Sequence, residues 1–328
     1  MDQNRLKVGV VGTGKMGSLH LQKYLQMDDV QVVGVHDLSE ERLEHCEQKL
    51  GLKAFRTLSE LLFEADAITI ASPTSTHFQV AKQALEAGVH VLVEKPVTDN
   101  PDSAAILVKL AEKRNLVLQV GLIERFRFRV LSNRIDLNRV RFVESHRLSP
   151  TLARESDIDV VSDLMIHDLD LVLSVIQEDP IHVSAVGVPV LTPHYDMANV
   201  RLEFPSGAVA NLSVSRVSSV QLRKFRVFST DSYVSMDFVN NNVKLYQRSS
   251  TGKIHQHEEA AVQVDPLMIQ AEAFIHSIRT GEPPIVTGRD GLRALKCAKE
   301  IQKSISQRSH QGSEVPTSGL ESFEPLDG

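Results

Sequence analysis

Cysteine is nearly absent: Cys46 and Cys297 are the two among 328 residues, and their spacing suits neither a metal site nor a redox pair. A disulfide framework is thereby excluded. No apolar run approaches about 18 residues, so no membrane span is expected. Basic charge is in deficit, with 36 Lys and Arg against 42 Asp and Glu, and the net −6 gives no general attraction to nucleic acid. Met1-Asp2-Gln3-Asn4-Arg5 runs directly into a strand-like segment and lacks the apolar core of a signal peptide, so a cytoplasmic protein is expected. No internal repeat is found. What is present is ordinary for a soluble protein: 42% hydrophobic and 24% charged residues, in a chain long enough for two domains.

The first ~120 residues alternate short Val/Ile/Leu-rich runs with segments of helical spacing. The runs are Leu6–Val11, Val30–Asp37, Ala67–Ala71, His90–Glu94 and Val117–Gly121; the helical segments are Lys15–Gln26, Ser39–Leu50, Thr57–Phe63, Ser75–Ala87 and Pro101–Arg114. Continuous apolar runs suit strands buried on both faces, and repeated strand–helix units predict an α/β doubly wound parallel sheet over residues 1–122. After Ile123 the pattern changes to a strand at Arg139–Arg147, one long helix at Asp159–Gln177, and several strands with turn signals at Pro205-Ser206-Gly207 and Asn240-Asn241-Asn242. In Ala208–Ser215, Ala210, Leu212 and Val214 alternate with Asn211, Ser213 and Ser215, as in a sheet with one polar face. Two helices follow near Pro266–Thr280 and Gly288–Gln307. Residues 123–308 therefore read as an α+β domain with a large, mostly antiparallel open sheet. Residues 309–328 carry four acidic groups and no Lys or Arg, and read as a disordered tail.

Gly12-Thr13-Gly14-Lys15-Met16-Gly17 follows a strand and opens a helix. Gly12 permits a tight turn, Gly14 lets backbone approach a pyrophosphate, and Gly17 permits close packing of helix on strand. The helix N-terminus offers free N–H groups to phosphates. Asp37, twenty residues beyond Gly17, is placed to accept from an adenosine ribose and would repel a 2′-phosphate, which favours NAD over NADP; Arg42 in the next helix works the other way. Ala71-Ser72-Pro73-Thr74 and Glu94-Lys95-Pro96 lie at carboxyl ends of strands, where open α/β sheets bind ligands. Ser72, Pro73, Thr74 and Glu94 are expected at the cofactor, and Lys95 can donate to a substrate hydroxyl.

In Asp159–Gln177, residues Asp163, His167, Asp170 and Ser174 fall within about a 60° arc of an otherwise apolar helix, as expected where a helix lines a cleft. Asp163 and His167, one turn apart, can act on one substrate. Asp168 falls in the apolar arc, where the pattern supplies no role for it. No zinc-like spacing lies nearby, so no metal is expected. Seven arginines (125, 127, 129, 134, 139, 141 and 147) are concentrated in 23 residues. They form either a solvated surface or an anion site, since guanidinium groups bind phosphate and carboxylate bidentately.

Taken together, Val10–Gly17, Glu94-Lys95-Pro96, Asp163 with His167 and Asp170, and Pro283-Pro284-Ile285-Val286-Thr287-Gly288-Arg289-Asp290-Gly291 resemble the Gfo/Idh/MocA oxidoreductase family over about residues 6–307. The resemblance implies a Rossmann domain, a bound nicotinamide dinucleotide, and homo-dimers or homo-tetramers built through the second sheet. It implies that Lys95 assists at the reacting hydroxyl, that His167 takes its proton, and that Asp163 orients substrate or histidine. A cis bond at Lys95–Pro96 is expected as well. Asp163–Asp170 and Val120–Phe126 are similar to the family's UDP-N-acetylglucosamine 3-dehydrogenases, although Arg127-Phe128 stands where those usually have Asn-Pro. That similarity implies oxidation at C3 of a UDP-N-acetylhexosamine, with Arg125 at the substrate. The alternatives are an inositol or free-sugar dehydrogenase and a non-catalytic sugar- or NAD-sensing regulator.

Overall fold

The computed structural model describes residues 5–132, 137, 139–150, 158–249, 251–259 and 265–312. The chain begins with β1 (Leu6–Val11), α1 (Lys15–Tyr24), β2 (Val30–His36), α2 (Glu40–Leu50), α3 (Leu58–Glu64), β3 (Ala67–Ile70), α4 (Thr74–Glu86), β4 (His90–Glu94), α5 (Pro101–Arg114) and β5 (Leu118–Gly121). These strands form a parallel sheet in the order β2-β1-β3-β4-β5. All four residues of β3 and the central three of β4 are buried, which is what continuous apolar runs require when helices cover both faces. Helix starts follow local chemistry. Ser39 caps α2, Thr57 and Glu60 form a reciprocal capping box on α3, and Asn100 caps α5 ahead of Pro101.

The second half contains α6 (Glu124–Ser132), β6 (Val140–Pro150), a π-helical turn (Val161–Met165), α7 (Ile166–Ile176), β7 (His182–Val188), β8 (Met197–Glu203), β9 (Val209–Ser215), β10 (Val217–Ser229), β11 (Ser232–Asp237), β12 (Asn242–Arg248), β13 (Ile254–Glu259), α8 (Pro266–Thr280) and α9 (Gly288–Gly312). Its eight strands run in the order β13-β12-β11-β10-β6-β9-β8-β7, antiparallel throughout except for the β6–β9 pair. In β9, Ala210, Leu212 and Val214 enter the core, while Asn211 and Ser213 face away. The core between this sheet and its helices joins Val143, Phe225 and Val227 to Met165, Leu169 and Val172. Two differences from the sequence reading stand out. The expected single helix Asp159–Gln177 opens with a π turn, and Arg125, Arg127 and Arg129 lie on a helix, α6, that the sequence reading did not place.

The boundary at 122/123 does not divide the packing cleanly. Ala271, Phe274 and Ile275 of α8 complete the core beside β1 and α1, while Val286, Ala294 and Leu295 join the core on the other side of the first sheet. Val120 N–H donates to Val286 O at 3.1 Å, so the returning chain covers the free edge of β5. Farther along α9, Cys297, Ala298, Ile301 and Ile305 enter the second core. One helix thus belongs to both domains. It also continues to Gly312, so residues 309–312, read as tail, are helical. The remainder of that segment, 313–328, lies outside the described residues, as does Arg134.

Between β7 and β8, Asp196 ties a loop together. Its Oδ2 accepts from the N–H groups of Val190, Leu191 and Thr192 at 2.6 to 2.9 Å, and Oδ1 accepts from the Thr192 hydroxyl. Burial alone would raise this carboxyl, but the donated hydrogen bonds outweigh it and hold the group at about 2. A depressed acid stabilises the fold above its unfolded value and loses that contribution as pH falls toward its folded one. Denaturation at successive pH values should therefore show stability falling between about pH 4 and about pH 2, with Asp196→Asn removing part of that slope. Parallel curves for the two proteins would contradict the assignment.

Candidate functional site

The first part of the site is the glycine turn between β1 and α1. Gly12 has φ +85°, and a Cβ there would lie 2.6 Å from Ser72 N; a Cβ at Gly17 would lie 1.8 Å from Gly12 O. Neither position accepts a side chain. At Gly14 the space is open, with Arg42 Nη1 at 3.8 Å as the nearest atom to a Cβ. No side chain caps α1, so its leading N–H groups are free to meet an anion. Lys15 is exposed and Met16 half-buried in that first turn. Asp37 follows β2 and accepts from Thr13 N–H at 2.7 Å, Thr13 Oγ1 at 3.0 Å and Ser39 N–H at 2.9 Å, with Arg42 Nη1 3.6 Å away. Burial pulls the Asp37 carboxyl up, but these donors prevail and leave it below its ordinary value. An open glycine cradle, an uncapped helix start and an ionised carboxylate at the next strand end fit the diphosphate and ribose of NAD.

The neighbouring strand ends complete this edge. Ser72 Oγ is 2.6 Å from Thr76 Oγ1; Pro73 is exposed and precedes the half-buried Thr74 that begins α4. The Lys95–Pro96 bond is cis. His77, buried, places its ring nitrogens 2.9 Å from Pro96 O and from Ser72 O, tying the two loops to each other. Glu94 is not free toward solvent: its Oε1 is 2.7 Å from Nε2 of buried His20, and its carboxylate lies where a Cβ on Gly121 would touch it.

Lys95 reaches across to the second domain. Its Nζ donates to Asp163 Oδ1 at 2.9 Å and to Asp163 O at 2.8 Å. Asp163 lies in the π turn, whose start is held by Asp159 accepting from the N–H groups of Val161 and Ser162. His167 is in the first turn of α7. Its Nδ1 is buried without a hydrogen-bond partner among the described residues, whereas Nε2 is not buried in this way. Burial first, then the positive charges of Lys95, Arg147 and Arg223, pushes its proton affinity well below the ordinary histidine value. The structure thus brings Lys95, Asp163 and His167 together beside the dinucleotide cradle.

Other parts of the expected polar stripe turn elsewhere. Asp170 accepts from Arg125 Nε at 2.9 Å and is fully buried, and Ser174 bonds back to Leu171 O. Arg125, expected at the substrate, has its charge neutralised by Asp170, with Asp290 3.8 Å away. Asp168 receives a bidentate pair from buried Arg147, whose Nη1 also donates to Glu124 Oε1 at 3.2 Å. The most buried arginines of the cluster are therefore internal ion-pair partners. His20, His77, Glu124 and Arg223 were not anticipated; each has a partner at least 19 residues away in the sequence, and no local pattern marks them.

Residues 6–122 match the model of the Gfo/Idh/MocA oxidoreductase family, NAD-binding Rossmann fold, and residues 129–235 match the Gfo/Idh/MocA C-terminal domain. The chain is 38% identical over 306 residues to UDP-N-acetylglucosamine 3-dehydrogenase of Acidithiobacillus ferrooxidans, covering 92% of this chain and 97% of that one. It is 25% identical to myo-inositol 2-dehydrogenase of Thermotoga maritima, with 92% and 97% coverage. A solved structure of the Acidithiobacillus ferrooxidans enzyme superposes with a TM-score of 0.87 at 37% identity, over 92% of this chain and 98% of that one.

Because burial and three cations oppose the imidazolium, His167 should stay neutral as pH falls through 6.5, the ordinary histidine value. An NMR titration of the imidazole, assigned with His167→Asn, should place its midpoint clearly below that value. A midpoint at or above it would contradict the electrostatics described.

Proposed function

Because the chain belongs to the Gfo/Idh/MocA family of NAD-binding Rossmann-fold oxidoreductases, we propose that it is a cytoplasmic dehydrogenase that oxidises the C3 hydroxyl of a UDP-N-acetylhexosamine with NAD. The observation that carries this reading is the convergence of Lys95, Asp163 and His167 beside the glycine cradle. A nicotinamide bound at that edge supplies the hydride acceptor. His167, neutral, takes the hydroxyl proton on Nε2. Lys95 opposes negative charge developing on the substrate oxygen, and Asp163 holds the ammonium in place. The similarity to the Acidithiobacillus ferrooxidans enzyme supports the nucleotide sugar as substrate.

The outer face of the second sheet, which no helix among the described residues covers, supports a homo-oligomer. Phe142, Phe228, Tyr233 and Tyr246 form a row across four strands, with successive ring centroids 5.6, 4.6 and 5.7 Å apart. A second reading, a dehydrogenase of inositol or a free sugar, is favoured by the carboxylates that neutralise Arg125 and Arg147, since a neutral polyol needs no anion site.

Purified protein should form NADH with UDP-N-acetylglucosamine. Oxidation of inositol or a free hexose with every UDP-sugar ignored would establish the second reading instead. His167→Asn and Lys95→Ala should bind NAD as the parent does and turn over at least ~100-fold more slowly, the scale of general acid–base groups; near-parental kcat in His167→Asn would remove it as the base. Cofactor choice follows Asp37: kcat/KM should favour NAD over NADP, and Asp37→Ala should narrow the ratio. Equal use of both by the parent protein would contradict that role.

A further inference from the structure

Five charged side chains meet behind His167, and their charges do not cancel. Arg147 occupies both oxygens of Asp168 and one of Glu124. Arg127 donates to Phe238 O at 3.1 Å and stands 3.6 Å from the other Glu124 oxygen. Arg223 is the third guanidinium, directly opposite Arg147 in the β10–β6 register. Among the described residues its one ion-pair contact is Glu124 Oε1 at 3.7 Å, beyond hydrogen-bond range and on an oxygen that Arg147 already holds. Among the described residues, three cations therefore face two carboxylates. The surplus charge sits on Arg223, whose side chain is 34% exposed against 5% for Arg147 and 18% for Arg127.

Its direction follows from strand alternation. Phe225 and Val227, on the same face of β10, are buried in the core under α7, so Arg223 leaves that face one step beyond the core. There its charge is felt at the imidazole of His167, together with those of Lys95 and Arg147. A half-exposed guanidinium with unused donors beside a proton-accepting histidine is suited to an oxyanion carried by the same molecule that presents the hydroxyl.

We propose that Arg223 binds a phosphate of the substrate. The inference rests on the reading of a phosphate-bearing sugar given above, and it names the residue that selects such a sugar over a neutral polyol. In a sugar 1-phosphate or its nucleotide ester, the phosphate-bearing carbon is separated from C3 by one ring atom. Contacts at Arg223 and His167 are thus compatible with one bound sugar.

The test is steady-state NADH formation by the full chain with UDP-N-acetylglucosamine, N-acetylglucosamine 1-phosphate, glucose 6-phosphate, free N-acetylglucosamine and inositol. Arg223→Gln should raise KM for the phosphorylated substrate at least about 10-fold, the scale of a lost charge-assisted hydrogen bond, with kcat changed less than about threefold and KM for NAD unchanged. Arg223→Lys should recover part of that loss. Lys224→Gln removes the same charge from the opposite face of β10, where its partner is Asp237, and should leave KM alone. Dependence on Arg223 with the 1-phosphate assigns the contact to the phosphate next to the sugar; dependence with the UDP-sugar alone assigns it to the distal one. If the parent oxidises UDP-N-acetylglucosamine and Arg223→Gln leaves KM unchanged, the inference falls and the proposed substrate stands. If the parent ignores UDP-sugars but oxidises a hexose phosphate with an Arg223-dependent KM, the proposed substrate falls and the inference stands. Turnover of neutral sugars alone, indifferent to Arg223, overturns both.

Discussion

The pairing of Arg147 with Asp168 is the constraint on which the site depends. Arg147 projects from β6, Asp168 from α7, and Glu124, which shares the guanidinium, from the start of α6. One buried cation therefore fixes the rotation of two helices against the sheet. Exchanging such a group for well-packed apolar residues is often neutral or stabilising, whereas removing one partner costs about 3 to 5 kcal/mol. Its distinctive contribution here is orientation. Successive residues of an α-helix point about 100° apart, so holding Asp168 inward turns His167 toward the cleft.

That arrangement also sets the character of the cleft. Lys95 approaches from the first domain and is held by Asp163, while Arg147 and Arg223 stand behind the histidine. An imidazole among cations remains unprotonated, which keeps it available to accept a proton.

The sequence was most informative where structure follows from neighbours. Apolar runs bounded by capping residues located the parallel strands and most of the helices, and the spacing of Gly12, Gly14 and Gly17 located the cradle because each glycine answers a local steric need. Asp163 and His167 were legible through helical periodicity, even though Asp163 sits in the π turn and His167 in the α-helix that follows it. Asp168 and Arg125 were not legible in this way. Their partners stand 21 and 45 residues away, and periodicity cannot distinguish a guanidinium facing ligand from one facing a buried carboxylate. Arg223 lay in a strand with no other mark of function, and its importance follows from a count of charges that requires three dimensions.

The return of α8 and α9 to the first domain bears on the order in which the protein is made. Residues 6–121 leave the ribosome with every strand of the first sheet, yet the surface that Phe274 and Ile275 cover, and the β5 edge that Val286 closes, are without their partners until the final quarter of the chain has been synthesised. Domains fold largely as units during synthesis at about 5–20 residues per second, so the nascent sheet is left uncovered for roughly ten to thirty seconds. For that interval the dinucleotide domain presents an apolar flank and an open strand edge, and its packing is completed only when α9 closes over both cores.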